Sequence, residues 1–502
     1  MKKVIIVLAI IIFSSANNIY SQNITDALRY SYLTPGGTAR YMSMGGSFGA
    51  LGGEFSSLSI NPAGIGVYRS SEITFTPSLY YNNIESDYYG TSAQDHQYNF
   101  NIHNIGGVFT FSQITDPDTR GWRNVNFGIG INRHNNFNFR RVSQGVNPDN
   151  SLLTDWLDQA IFDEGGDSEN FDIFSTALAW ETYLFDTMDE YPFLTIDPEA
   201  GGLTTRQEAN IKGSVREFVL TMGANYNDRL YIGATFGFPN VSYEEAINHQ
   251  ETDTENNIDN LNSFSYKYNL RTTGTGLNFK LGAIYRITDI IRIGAALHTP
   301  TFYDLTDEWW AEVHSDITFE NRNDIPDGVN PGERVQFQDK SEHRGRFDYE
   351  LNSPLKAIGS LGFVFGTTGL INIDYEYIDY TKARLRSDDY MFTDENNVIS
   401  NSLQAQHNIK VGGELRLQPL NPVIFRAGYA YYSNPYKSDI NNTEQSVISA
   451  GIGMRERNYF LDFAYLYSIQ SENYYPYGSE YTDPMKNEYN RNGFMLTLGL
   501  RF

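Results

Sequence analysis

Cysteine is absent from all 502 residues. That one absence excludes a disulfide framework, a lipid-modified N-terminal cysteine, thiolate metal centres and cysteine nucleophiles. Long apolar runs are missing too. Mean hydropathy is -0.44, which excludes a bundle of membrane-spanning helices, each needing roughly 20 apolar residues. Basic residues are scarce: 37 Lys and Arg against 61 Asp and Glu leave a formal charge of -24. Such a surface repels phosphate backbones, so nucleic acid is not expected as a partner. The eight histidines are scattered without ligand spacing, so neither a metal site nor a cofactor is expected. The stretch GGSFGALGG from Gly45 lacks the Lys-Ser/Thr ending of a phosphate loop. With no sharp nucleophile turn present, the chain is not expected to be an enzyme.

What is abundant points to sheet. Tyr 36, Phe 32 and Gly 43 are high, while charged residues make up 20%. Aromatic and glycine enrichment suits strands, and membrane barrels add aromatic girdles at both interfaces. The only apolar run of helical type, Val4 to Phe13, follows Lys2 and Lys3 and precedes Ser14, Ser15 and Ala16. It reads as a secretory signal peptide over 1–21, cleaved near Ser21 to leave Gln22 first.

From Glu72 onward the dominant period is two. Ile73, Phe75, Leu79 and Tyr81 form one apolar set; Leu230, Ile232, Ala234, Phe236 and Phe238 another. Leu277, Phe279, Leu281, Ala283 and Tyr285 form a third, and Ile371, Ile373, Tyr375 and Tyr377 a fourth. Strict alternation sets one face on an apolar medium and the other on something wetter. The connections alternate as well. Short links fall at 227–228, 288–289, 366–369, 418–422 and 457–458. Long polar segments fall near 83–99, 141–210, 247–262, 318–341, 387–402, 435–444 and 473–489. Short turns on one side and long loops on the other predict an all-β, transmembrane antiparallel barrel of about 14 strands over 71–502. The terminal set Phe494, Leu496, Leu498, Leu500 and Phe502 resembles the signal read by the barrel-assembly machinery of the outer membrane.

Two segments break the pattern. Residues 22–70 carry dense glycines and then Asn61-Pro62-Ala63-Gly64, a composition poor for helix or strand. They are expected to plug the periplasmic half of the lumen. Within 141–210, Ser151 and Asp155 mark a helix start. Leu152, Leu153, Trp156, Leu157, Ala160 and Ile161 recur at helical spacing, and Phe171, Phe174, Leu178 and Phe185 suggest a second short helix. Trp156, Leu157, Phe171 and Phe174 are candidates for an extracellular hydrophobic groove.

The Asn61–Gly64 motif, preceded by Gly45-Gly46-Ser47-Phe48, resembles the FadL-type outer-membrane transporters of hydrophobic compounds. So do Gly276 to Tyr285 with Arg292-Ile293-Gly294, Ser353-Pro354-Leu355, Ile373 to Tyr380, Arg426 to Tyr429 and Leu461 to Tyr465. The resemblance implies fourteen strands, an N-terminal hatch, and passive uptake of ligands such as long-chain fatty acids from extracellular loops. Release is then sideways into the outer-membrane lipid, where the third strand kinks. Here that strand is 123–140. Gly128 and Gly130 either permit the bend or merely make room for the plug, and Pro77 loosens the same region. Lys280, Arg286, Arg292 and Arg426 share inward parity with Asp374, Glu376 and Asp462. They either anchor the plug or grip a ligand headgroup, with Lys280 the foremost for the latter. Two other readings stay open: a relative of this fold that holds surface or secretion proteins, and a haem or porphyrin receptor.

Overall fold

In the computed structural model the described residues are 20–34, 36–112, 120–188, 191–193, 202–255, 260–319, 326, 328–416, 423–437 and 440–502. The predicted leader up to residue 19 and the predicted link at 418–422 lie outside them.

Fourteen wall positions follow in chain order. They are β1 (Glu72–Tyr88), β2 (Thr91–Ser112), β3 in two pieces (Trp122–Asn136 and Phe139–Asn147), β4 (Leu203–Tyr226), β5 (Leu230–Thr252) and β6 (Leu261–Arg286). Next come β7 in two pieces (Ile291–His298, Phe302–Thr318), β8 in three (Arg334–Lys340, Gly345–Asn352, Lys356–Phe365) and β9 (Gly369–Asp379, extended by Arg384–Arg386). The circuit finishes with β10 (Ala405–Arg416), β11 (Val423–Tyr432), β12 (Gln445–Arg455), β13 (Tyr459–Tyr474) and β14 (Met485–Arg501). β14 pairs back onto β1 from Glu72↔Arg501 to Asp87↔Lys486, so the antiparallel sheet closes on itself.

Closure follows from the alternation. Ile73, Phe75 and Leu79 are exposed, while Thr74, Thr76 and Ser78 between them are buried. The outward sets of β5, β6, β9 and β14 behave alike, down to Leu498, Leu500 and Phe502. An apolar belt on the outside of a closed barrel satisfies every backbone group within the wall, which is how strands cross an outer membrane. Tyrosines top the belt and tie their hydroxyls to polar neighbours, as in Tyr465 to Asn492 (2.7 Å) and Tyr467 to Asn490 (2.9 Å).

The short turns lie where the spacing put them: 227–229, with Asn227 and Asp228 both at φ 55°, then 287–290, 366–368 and 456–458. The opposite side differs from expectation. The stretch 83–99 is no loop: β1 and β2 continue to a two-residue turn at Tyr89-Gly90. β4, β5 and β6 likewise run to 24, 23 and 26 residues, well beyond the roughly 9–11 that a bilayer needs. Polar strand above the membrane reads in sequence like a loop, because both its faces meet water or a polar lumen.

The N-terminal segment touches strands all round the wall and is buried, which places it in the lumen. Residues 36–68 sit low. Helix α1 (Tyr20–Ser31) departs from the expectation for 22–70 and lies in the extracellular half. There Ile24, Ala27, Leu28 and Tyr30 pack against Val215, Val241, Tyr243, Leu305 and Leu351. Two further helices, α2 (Leu152–Asp158) and α3 (Thr176–Glu181), belong to the long insertion, and α4 (Thr393–Ser402) leans on α1.

Candidate functional site

The Asn61–Gly64 motif is a helix start keyed into the wall. Asn61 caps a short 3-10 helix, Pro62–Val67, accepting from Ala63 N (3.1 Å), with Pro62 at the first turn. Its amide donates to Gly49 O (2.6 Å) within the plug and to Ala283 O (3.2 Å) on β6. The facing Gly282 leaves no room for a methyl group: a Cβ there would fall 1.9 Å from Asn61 Oδ1. Gly64 sends its carbonyl to Gly53 N (3.0 Å). Similar close approaches occur where Met44 lies on Gly412 and Gly428 of β10 and β11.

Charge fastens the same segment. Asp374 on β9 accepts from Phe48 N (2.9 Å) and Gly49 N (3.1 Å), bonds worth about 1.5–3 kcal/mol each when the acceptor is ionised. Arg40 of the plug and Arg426 of β11 converge on Glu414 at 3.0 and 2.9 Å, and Arg426 also holds Asp462 at 2.7 Å. Arg292 donates to Leu51 O (3.1 Å). Two of the four predicted cations, Arg292 and Arg426, therefore tie wall to plug directly or through a shared acid. Arg286 bonds Asp289 (2.7 Å) at a periplasmic turn. Lys280 is paired with Glu217 at 2.5 Å, and His134 meets the same carboxylate at 3.0 Å.

The wall is discontinuous at one seam. β2 pairs with β3 only from Asn104↔Asn132 to Ser112↔Asn124. Above that, residues 91–102 of β2 pair with β1 alone among the described strands. The outward aromatics Tyr98 and Phe100 on this stretch are 66% and 69% exposed. On β3 alternation stops, and Asn132, Arg133, His134, Asn135 and Asn136 are all buried. Register with β4 slips between Arg133 and Asn136. The bend is stabilised from β4 by Gly213, at φ +130°, whose carbonyl accepts from Arg133 Nη2 (3.0 Å), Phe137 N (3.2 Å) and Asn138 Nδ2 (3.1 Å).

Side chains close the seam in place of a ladder. Asn136 reaches Asn99 (3.3 Å), Arg140 reaches Asp95 (2.7 Å) and Asn82 reaches Asn138 O (2.6 Å). Gly128 and Gly130 are not at the bend. They lie in unbroken register opposite Val108 and Gly106, and a Cβ on Gly130 would meet the Phe55 ring of the plug at 2.5 Å. Pro77 does sit at an irregularity: its partner step skips His103, which turns inward to Ser78 (2.8 Å) and Tyr80 (3.1 Å). A cavity of about 70 Å³ lies here, lined by Thr34, Gly36, Tyr80, His103, His134 and Asn136 among others. The plug reaches the bend itself, since Asn135 accepts from Thr34 N (2.9 Å) and donates to Tyr32 O (2.7 Å).

The sequence reading missed Asn135, Asn136 and Gly213. Its signal was available in Asn132-Arg133-His134-Asn135-Asn136, a polar run where the alternation lapses. Above the lumen, the insertion begins as predicted at Ser151, which caps α2 and bonds Glu251 of β5 (2.5 Å). Its apolar residues do not form an open groove. Trp156 and Phe171 are buried, with Trp156 edge-on to Tyr266 (4.8 Å) and Phe171 to Trp180 (5.8 Å). Leu157 and Phe174 pack on the same cluster, Phe174 against Trp309. The two turns of helix and the upper strands satisfy one another.

No family model and no curated protein matches the chain. Among solved structures it is similar to a FadL homologue of Pseudomonas aeruginosa, with TM-score 0.55, 11% identity, and 94% of this chain and 99% of that one covered. It is also similar to the toluene transporter TodX of P. putida, with TM-score 0.50, 12% identity, and 93% and 99% covered. The shared property is the fold: a fourteen-position barrel of the FadL type, set in the bacterial outer membrane by its apolar belt.

Proposed function

We propose that this FadL-type barrel is a passive outer-membrane channel for hydrophobic small molecules, which leave the lumen sideways through the seam between β2 and β3. The observation that carries the reading is the loss of the β2–β3 ladder above Asn104↔Asn132. Below that point β2 and β3 are held by main-chain bonds that a small molecule cannot part. At the seam the closure rests on Asn99–Asn136 and Arg140–Asp95, side chains that rotate away at a cost of about 1 kcal/mol each. An apolar solute leaving there passes directly into hydrocarbon, and each buried methylene favours that transfer by about 0.8 kcal/mol. No energy source is required. The contacts of Asn135 with Thr34 and Tyr32 link the plug to the bend, so displacement of the segment before Gly36 frees the seam at the same time. The solved relative described as a toluene transporter agrees with cargo of this class.

The absence of cysteine makes a direct test clean. Asn99→Cys with Asn136→Cys places two thiols across the seam. In liposomes, oxidation is expected to slow uptake of labelled toluene, and a reductant to restore it. Uptake indifferent to the crosslink would refute sideways release, while uptake no faster than in empty liposomes would refute the channel.

A further inference from the structure

We infer that the cavity at the seam is a binding site for a short-chain carboxylate ion, which joins Arg491 of β14 to Arg133 of β3 across the gap. The site stands on its own geometry. That it clamps the seam shut rests on the transport reading.

The two arginines come from opposite sides of the break. β14 reaches β2 through β1, whereas Arg133 lies on β3 just above the last ladder pair, Asn104↔Asn132. Arg491 lines the cavity beside Tyr80 and donates from Nε to Asn82 Oδ1 (2.8 Å). Its guanidinium lies 5.9 Å from the centre of the Tyr80 ring. Arg133, only 3% exposed, borders the same space. Its Nη2 donates to Asn136 Oδ1 (3.2 Å), and a Cβ on Gly36 would fall 2.3 Å from its main-chain oxygen. Asn136 and Gly36 both line the cavity. The Arg133 Nε, buried here, has no hydrogen-bond partner.

Charge decides the sign of the ligand. Other inward cations of this wall meet carboxylates: Arg426 and the plug's Arg40 meet Glu414, and Lys280 meets Glu217. Among the described residues neither Arg133 nor Arg491 meets one. The charged neighbours of Arg133 are Arg216 and Arg491, and those of Arg491 are two tyrosines, Tyr80 and Tyr489. Glu217 on β4 is already engaged by His134, Lys280 and Asn278. In a chain with 61 acidic residues against 37 basic ones, that shortage of acids is local. Cations left unpaired away from bulk water are costly, and a guanidinium fork matches a carboxylate.

Size and lining narrow the class. About 70 Å³ admits an ion such as acetate but not a ring, which needs on the order of 150 Å³. Met42, Val447 and Leu466 also line the space, and such groups suit the methyl of acetate better than a phosphate oxygen. An ion held by both arginines spans the seam from the lumen side, where neutral side chains otherwise bridge it.

Acetate is the probe, acetamide its uncharged counterpart, and the bulky sulfonate HEPES the balancing anion at constant ionic strength. At ten times its dissociation constant, acetate should slow amide exchange over residues 132–138 about tenfold and slow toluene uptake into liposomes alongside. Acetamide should do neither. Arg491→Gln and Arg133→Gln should each lose the response, while Arg216→Gln, on the exposed face, should keep it; heat-shifted gel mobility reports whether each is folded. Exchange indifferent to acetate in the native protein, or equally slowed by acetamide or in Arg491→Gln, overturns the carboxylate site and leaves the channel reading intact. Slowed exchange with unchanged uptake overturns the clamp alone. Uptake no faster than in empty liposomes overturns the channel and with it the clamp, while exchange still decides the site.

Discussion

Asn61 illustrates how much one side chain carries in the plug. It caps a helix start and donates to both plug and wall, so Asn61→Ala loses a cap and strands two carbonyls. The expected cost is about 1–2 kcal/mol, felt locally, because the barrel's own ladders are untouched. Amide exchange across 48–68 should quicken by about tenfold while the strands keep their protection. Exchange unchanged in that segment would show that the motif does not hold the plug. The glycines teach the complementary lesson. Gly130 was open to more than one reading as sequence, and Gly282 attracted none. Each proves to be where plug atoms press on the wall, since the Phe55 ring or the Asn61 carbonyl occupies the space of a Cβ. A glycine in a strand signals a bend or a close approach equally well, and only the partner across the gap distinguishes them.

At the scale of elements, β3 bends because its ladder demand is met elsewhere. Five buried polar residues in succession take over hydrogen bonds that β2 no longer supplies, and Gly213 on β4 offers a carbonyl that receives Arg133 from among them, together with Phe137 N and the Asn138 amide just beyond. The insertion shows another element-level effect. Asp155 of α2 accepts from Gly478 N (3.2 Å), tying the 475–484 loop to the helix. Burial pushes its carboxyl up to about 6, against the hydrogen bond that favours ionisation, and the acids Glu480, Asp158 and Asp163 push the same way as burial. The folded form thus holds its proton more firmly than the unfolded one. This contribution to docking is complete below the ordinary value near 3.8 and is lost as pH rises through about 6. Limited proteolysis of the 475–484 loop is expected to be slower at pH 4 than at pH 8. Asp155→Asn should abolish that difference, and a loop cut equally fast at both values in the native protein would contradict the assignment.

For the whole molecule, closure is the governing fact. Fourteen antiparallel positions joined from β14 to β1 make a wall that unfolds only when many ladders break together. Unheated protein in dodecyl sulfate should migrate faster on a gel than boiled protein. Identical mobility would be incompatible with a closed barrel. Much of this architecture was legible beforehand: strand parity, the periplasmic turns, the helix start at Ser151 and the terminal aromatic strand are all local patterns of period 2 or 3.6. The lengths of β1, β2, β4, β5 and β6 above the membrane were not legible. Where both faces of a strand are polar, alternation vanishes and strand looks like loop.

Residue order by itself determined that this chain closes into a membrane barrel, because burial against lipid is written as alternation within each strand. The place where the wall parts and the partners of each inward charge were decided only in three dimensions. Those features depend on residues far apart in sequence, such as Asn99 with Asn136 and Arg40 with Glu414. A local pattern shows which face a side chain takes, whereas its partner depends on how the whole sheet registers and closes.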